Sequence, residues 1–304
     1  MPELPEVETI RRGLRRKIVS KKIKKIIIKK PNLVKHSGIF FRKQLIENSF
    51  TDVQRIGKLL IFPLKKQNEK KEKQFLLIHL KMTGQLIFCN KEGFVAGGHA
   101  NSKKEEQEFI EGKRKNFCCP GKYTHIIFEF NDKSELFFND LRQFGYLKIV
   151  NEKELQEIKK SFGIEPGKRN FTWENFKKAL LGKKRKIKAI LLDQSIISGL
   201  GNIYVDESLF GAKIYPERIA TSLTEKEKRA LFVAIKRIIN LALKYNGTTF
   251  SDFLDSKGKK GNFKQKLKVY GREGKKCKRK NCVGIIEKIK VSGRGTRFCP
   301  FCQK

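Results

Sequence analysis

Apolar residues near the start of the chain fall at Val7, Ile10, Leu14 and Ile18, spaced by three and four, which predicts an amphipathic helix over residues 5–17. The pattern then changes to short β-branched and aromatic runs at 23–28, 59–62, 75–80, 85–88, 125–130, 134–138 and 146–150, broken by Gly, Asn and Asp. These runs predict a β-rich domain over residues 1–150. Residues 90–122 are polar and weakly patterned and read as a loop insertion. Residues 151–170 carry Gly163, Pro166 and Gly167 and read as an interdomain linker. Helical spacing returns afterwards. Residues 186–192 and 202–210 flank a turn with Gly199 and Gly201, and 224–245 form a long helix. Its stripe is Leu231, Ile235, Ile238, Ile239 and Ala242, with Thr224 and Glu227 spaced as a capping box. Near the end, 285–291 alternates like a strand, Ser292-Gly293 reads as a turn and 296–298 as a returning strand. The class is α+β and multidomain: 1–150, a linker at 151–170, a helical domain at 171–265 and a small C-terminal module at 266–304.

Charge narrows the partner. The chain of 304 residues has 69 Lys+Arg against 31 Asp+Glu, a net charge of +38. A field of that size draws in polyanions, with nucleic acid first among them. Genome composition is a second source of lysine, so the charge points to a class of partner and to no particular site. No apolar run reaches the roughly 18 residues of a membrane span. Glu3 and Glu6 argue against a signal or transit peptide, so a cytoplasmic protein is expected.

Of seven cysteines, Cys277, Cys282, Cys299 and Cys302 form two close pairs separated by a hairpin-sized segment. That set suits a closed tetrahedral zinc–thiolate site, which is structural and does no chemistry itself. Arg294 and Arg297 on the hairpin would be available to phosphate. Cys89, Cys118 and Cys119 are read as free thiols in preference to a second metal site with His99.

Three further segments carry chemistry. Removal of Met1 would leave Pro2 with a free secondary amine beside Glu3. An α-amine titrates near ~8, so a useful fraction is nucleophilic at neutral pH. The bland reading of the same residues is a helix start. Gly199-Leu200-Gly201-Asn202 could present backbone N–H groups to an anion or simply cap a helix. Met82 and Phe144 follow strands and would by themselves be read as core. The alternative is that they protrude as wedges for a base stack, with Arg142 replacing an extruded base's partner.

Taken together, PELPEVETIRRGL at 2–14, RIGKLL at 55–60, HLKMTG at 79–84, NDLRQFG at 139–145, LLDQSIISGLGNIYVDESLF at 191–210, VYGREG at 269–274 and SGRGTRFCPFCQK at 292–304 resemble the formamidopyrimidine-DNA glycosylases over nearly the whole chain. The resemblance implies an N-terminal β-sandwich with a catalytic N-terminal helix, a helix-two-turn-helix domain and a zinc-finger β-hairpin. It implies base-excision repair of oxidised purines, with hydrolysis of the glycosidic bond through a Pro2 iminium followed by β,δ-elimination. Pro2 would be the nucleophile and Glu3 would handle the proton of ring opening and base loss. Lys58 would serve β-elimination and Arg294 δ-elimination. Tyr123, Arg142, Lys183 and Asn202 match DNA-binding positions, and Met82, Arg142 and Phe144 match the void-filling trio. Residues 248–265 match the loop that closes over an everted purine. One structural zinc, no redox or nucleotide cofactor, double-stranded damaged DNA as partner and a monomer are implied.

The sequence also departs from the family pattern. The first cysteine pair is C-x4-C where many relatives have C-x2-C, Gln143 stands where some have Arg, and Leu141 replaces a frequent Pro. Two alternatives remain at this point. An endonuclease VIII-like enzyme for oxidised pyrimidines usually has Gly at the position of Leu4. A non-catalytic DNA-binding zinc protein has no need of an N-terminal proline.

Overall fold

The computed structural model describes residues 2–65, 72–90, 93–97 (as backbone), 120–248 and 263–304. The chain forms two compact units: Met1–Lys159 with Asn246–Asn262, and Lys160–Tyr245 with Phe263–Lys304.

The first unit opens with helix α1 (Leu4–Ile18), where the apolar stripe predicts one. Strands follow in antiparallel pairs. A five-stranded sheet has the order β1 (Ile23–Ile28), β7 (Thr124–Phe130), β8 (Glu135–Asp140), β5 (Gly84–Asn90), β6 (Gly93–Gly97). A four-stranded sheet has the order β2 (Gln54–Ile56), β3 (Leu59–Pro63), β4 (Gln74–His79), β9 (Tyr146–Asn151). Alternate residues of both sheets enter one core: Phe62, Ile78 and Ile149 from one, Phe88, Phe128 and Phe138 from the other. This is the side-chain period of a sandwich. Val7, Ile10, Leu14 and Ile18 of α1 join the same core. At about 2 kcal/mol for each buried aliphatic side chain, that stripe fixes the helix to the sandwich.

Two strands and two helices here escape the sequence reading: β2 is short, and β6 lies in the stretch 90–122 read as a loop, where it pairs with β5. Helix α2 (Gly38–Leu45) is started by Ser37, whose hydroxyl accepts the Phe40 N–H. Helix α3 (Glu152–Lys160) occupies the first half of the expected linker, and Leu155 is its buried residue.

The second unit holds α4 (Trp173–Leu180), α5 (Ile187–Leu192), α6 (Asn202–Ala212), α7 (Glu225–Lys244) and a hairpin of β10 (Glu287–Val291) and β11 (Arg294–Phe298). The Thr224–Glu227 capping box forms in both directions, with Glu227 N–H to the Thr224 hydroxyl at 3.2 Å and Thr224 N–H to the Glu227 carboxylate at 2.8 Å. The α7 stripe differs at one position. Phe232 is buried and Ile238 only half-buried, because Phe171, Trp173 and Phe176 gather around Phe232. The β10–β11 turn has Ser292 and Gly293 both at positive φ, the type I′ geometry that matches strand twist. Among the described residues no helix is long and apolar enough to cross a membrane.

Candidate active site and metal centre

Pro2 and Glu3 are buried at the head of α1, with Glu3 as its N-cap. The carboxylate of Glu6, itself buried, holds this end in place. One oxygen accepts the Glu3 N–H at 2.9 Å, and the other accepts the Thr248 N–H at 2.7 Å and its hydroxyl at 3.0 Å. Gly247 lies so close that a Cβ there would stand 2.7 Å from Glu6 Oε1, and its φ of 86° is a conformation glycine supplies. Glu6 therefore ties the N-terminal pair to the residue where 248–265 begins. Apart from Thr248 and residues 263–265, that expected closing loop lies outside the described residues, as do His99, Cys118 and Cys119.

Lys58 lies in the two-residue turn between β2 and β3, where Ile56 pairs with Leu59. Gly57 supplies the positive φ that this turn requires. A carboxylate on α1 connects this hairpin to the helix. Glu8 accepts from Arg55 Nε at 3.2 Å and from Arg11 at 2.8 and 3.0 Å, while Arg55 also donates to Gly57 O at 2.7 Å. Burial opposes the Glu8 charge, but hydrogen bonds from Arg11 and Arg12 and the charges of Arg11 and Arg55 hold its carboxyl at about 2. Pro2, Glu3 and Lys58 are thus carried by two elements joined through a low-pKa carboxylate.

The wedge candidates stand on two neighbouring turns. Met82 lies between β4 and β5, and Arg142 and Phe144 lie between β8 and β9. Phe144 is 52% exposed, whereas Phe137 and Phe138 of the adjoining strand are almost fully buried, so Phe144 is not a core residue. Arg142 Nη1 reaches the Met82 sulfur at 3.2 Å, and its guanidinium lies 4.7 Å from the centre of the Phe144 ring. The three side chains touch in a row. Tyr123, half-buried, precedes β7, and its carbonyl accepts the Asp140 N–H at 3.0 Å. His79 ends β4 with its Nδ1 accepting the Lys81 N–H at 2.9 Å. Burial, then the charges of Lys81 and Lys58, hold its ring at about 3, so it is neutral at physiological pH.

In the second unit Lys183 follows α4 in a turn closed by Gly182, which takes the left-handed conformation common after a helix end. Gly201 is the N-cap of α6, so Asn202 is the first helical residue rather than the cap. Its amide donates to Gly295 O at 2.8 Å, which joins α6 to the hairpin. Beside it lies an ion pair that sequence reasoning missed. Lys188 and Asp206, both fully buried, meet at 2.6 Å; Lys188 also donates to the Thr296 hydroxyl at 2.7 Å, and Asp206 accepts the Arg297 N–H at 2.9 Å. Burial pushes the Asp206 carboxyl up to about 6 against the pull of Lys188. Arg294, one residue past the turn, is exposed.

The sulfurs of Cys277, Cys282, Cys299 and Cys302 lie within 4.8 Å of one another, with Cys282 and Cys299 at 3.6 Å. Zn–S bonds of about 2.3 Å in a tetrahedron place sulfurs about 3.8 Å apart, so the set fits zinc. Gly284 is pressed against the site: a Cβ there would stand 2.6 Å from Cys299 Sγ and 2.7 Å from Phe301 Cβ. The longer C-x4-C knuckle closes through Asn281 at a φ of 59°. Within it, Arg279 donates to Phe210 O and lies 4.7 Å from the centre of that ring, which ties the knuckle to α6.

The chain is similar to known proteins over its whole length. Residues 1–147 match the family model of the formamidopyrimidine-DNA glycosylase N-terminal domain, 162–254 that of its H2TH domain and 274–304 that of the zinc finger found in FPG and IleRS. The formamidopyrimidine-DNA glycosylases of Pelotomaculum thermopropionicum and Listeria innocua are each 38% identical, with the whole chain covered and 99% and 100% of the relatives. The Lactococcus lactis Fpg in complex with abasic-site DNA superposes with a TM-score of 0.83 at 32% identity, covering 99% of both chains. The same enzyme bound to oxidised-pyrimidine DNA gives 0.82 at 32% identity, with both chains fully covered. The finger match and the four-cysteine cluster together give one structural zinc. The chain belongs to the formamidopyrimidine-DNA glycosylase family.

Proposed function

We propose that this protein excises oxidised purines from double-stranded DNA and then cuts the strand, with the amine of Pro2 as nucleophile once Met1 is removed. The amine attacks C1′ of the damaged nucleotide and the glycosidic bond breaks to release the base; the C1′–O4′ bond then breaks, opening the sugar ring and leaving the Pro2 nitrogen as an iminium on C1′. Glu3 transfers the proton that opens the sugar ring. The iminium acidifies the C2′ hydrogen, so β-elimination expels the 3′ phosphate and δ-elimination the 5′ phosphate. Lys58 and Arg294 stabilise those leaving groups electrostatically. Met82, Arg142 and Phe144 fill the duplex where the base was, and Tyr123, Lys183 and Asn202 contact the backbone. The protein works as a monomer in the cytoplasm, on the nucleoid. Zinc maintains the hairpin and takes no part in the reaction.

The observation that carries this reading is the buried Pro2–Glu3 pair at the head of α1, held by Glu6 in a chain that matches the family from end to end. Leu4 and the full-length matches disfavour the endonuclease VIII-like alternative. The test is an excision panel of duplexes carrying 8-oxoguanine, ring-opened purine or oxidised pyrimidine. Purine lesions are expected to be released roughly tenfold faster or more. Glu3→Gln should bind DNA and release no base. Preferential release of the pyrimidine lesions would reverse the substrate assignment, and undiminished excision by Glu3→Gln would remove Glu3 from its role.

A further inference from the structure

The two turns that carry Met82, Arg142 and Phe144 are bound to each other by a polar centre that none of the three residues forms alone. Asp140, fully buried at the end of β8, receives the Thr83 hydroxyl on Oδ1. The same oxygen accepts the Arg142 N–H at 3.2 Å, and Oδ2 accepts the Gly145 N–H at 2.7 Å. Thr83 Oγ1 accepts the Arg142 N–H at 3.0 Å. The Asp140 carbonyl is bonded by His125 Nε2 at 2.8 Å. Thr83 and Asp140 lie 57 residues apart in sequence, so the bond between them joins the β4–β5 turn to the β8–β9 turn.

The packing around this centre leaves no slack. A Cβ at Gly84 would stand 2.5 Å from Leu80 O, and one at Gly145 would stand 2.7 Å from Phe138 and 3.0 Å from both Asp140 Oδ2 and His79 O. Each turn also holds a non-glycine residue at positive φ, Lys81 at 50° and Gln143 at 56°. Such residues persist where the surroundings impose them. Here the surroundings are the Asp140 carboxylate, the Thr83 hydroxyl and the His79 ring on the Lys81 N–H.

We propose that Thr83 and Asp140 are positioning residues that fuse the two turns into one preassembled wedge, so that Met82, Arg142 and Phe144 enter the base stack together. The inference rests on the void-filling reading of those three side chains. Unclamped turns would have to order against each other during insertion, at an entropic cost that the preformed row of side chains removes. The step that depends on the clamp is therefore extrusion of an intact base. Cutting at a site that has already lost its base depends on it less.

The test uses the zinc-loaded, Met1-processed full chain and stopped-flow fluorescence of 2-aminopurine stacked beside 8-oxoguanine. Thr83→Val keeps the shape and removes the hydroxyl. It should slow the fluorescence rise and base release together by roughly tenfold, the scale of one hydrogen bond to a charged group. Strand cutting at a preformed abasic site should stay within about twofold of wild type, and Thr83→Ser should restore the lost rate. An unchanged Thr83→Val would overturn the clamp, as would equal losses on both substrates with a lowered melting temperature. Phe144→Ala separates the layers. If it abolishes the signal and Thr83→Val leaves the rate unchanged, the clamp fails alone. If it leaves the signal intact, the void-filling reading fails and takes the clamp with it.

Discussion

The sandwich of the first unit and the hairpin module of the second hold functional loops by different means. In the first, Leu, Ile and Phe from α1 and two sheets make one extended core, and polar ties such as Glu8–Arg55 only orient what that core already supports. In the second, the apolar cluster beneath the hairpin is small: Phe210, Val269, Ile286 and the buried Cys277 and Cys299. Four thiolates, the Lys188–Asp206 pair and Glu207 do the rest. Glu207, buried on α6, accepts the backbone N–H groups of Lys268, Val269 and Tyr270 at 2.9 to 3.0 Å. A module too small to bury enough apolar surface depends on metal and polar staples. The same kind of substitution should therefore cost far more in the second unit than in the first.

The largest effect tests that directly. Lys188→Met removes the cation and leaves Asp206 buried without it. The loss should be about 3–5 kcal/mol, the cost of breaking a buried pair from one side. Limited proteolysis should show the cut falling in the hairpin, between Glu273 and Lys304, with the sandwich intact. A loss below about 1 kcal/mol, the range of surface pairs, would mean that the hairpin does not depend on the pair.

A smaller effect is expected at Glu8, and it should depend on pH. Its carboxyl is held at about 2 in the folded chain against an ordinary 4.5. A lowered folded value adds stability that is fully present above 4.5 and is lost as pH falls toward 2. Wild type should lose stability across that window more steeply than Glu8→Gln, while the two should melt with similar pH dependence above about pH 6. Parallel curves throughout acid would show that Glu8 does not hold the β2–β3 hairpin to α1.

The same contrast explains what the sequence could disclose. The α1 stripe, the long strands and the Thr224–Glu227 cap were legible because each is a local period or a short-range pair. Helix α2 was hidden by adjacent Ile39, Phe40 and Phe41, which read as no particular period, and α3 by having Leu155 as its buried residue. Strand β2 is three residues long and partly polar. The cysteine spacing was readable, and so were Pro2 and Glu3 as a reactive pair. The ties that aim the site were not: Glu8 with Arg55, Thr83 with Asp140 and Lys188 with Asp206 are separated by 47, 57 and 18 residues, and no spacing rule joins them. The one available signal was charge within largely apolar helices, Lys188 in α5 and the Asp206-Glu207 pair in α6.

The proposed excision chemistry turns on the nitrogen of Pro2. Borohydride reduction during turnover of an 8-oxoguanine:C duplex, followed by peptide mapping of the trapped protein, tests it most directly. A covalent DNA adduct is expected on residue 2 of Met1-processed protein and none on chain that retains Met1. An adduct on a lysine, or no adduct from processed protein that still releases the base, would contradict it.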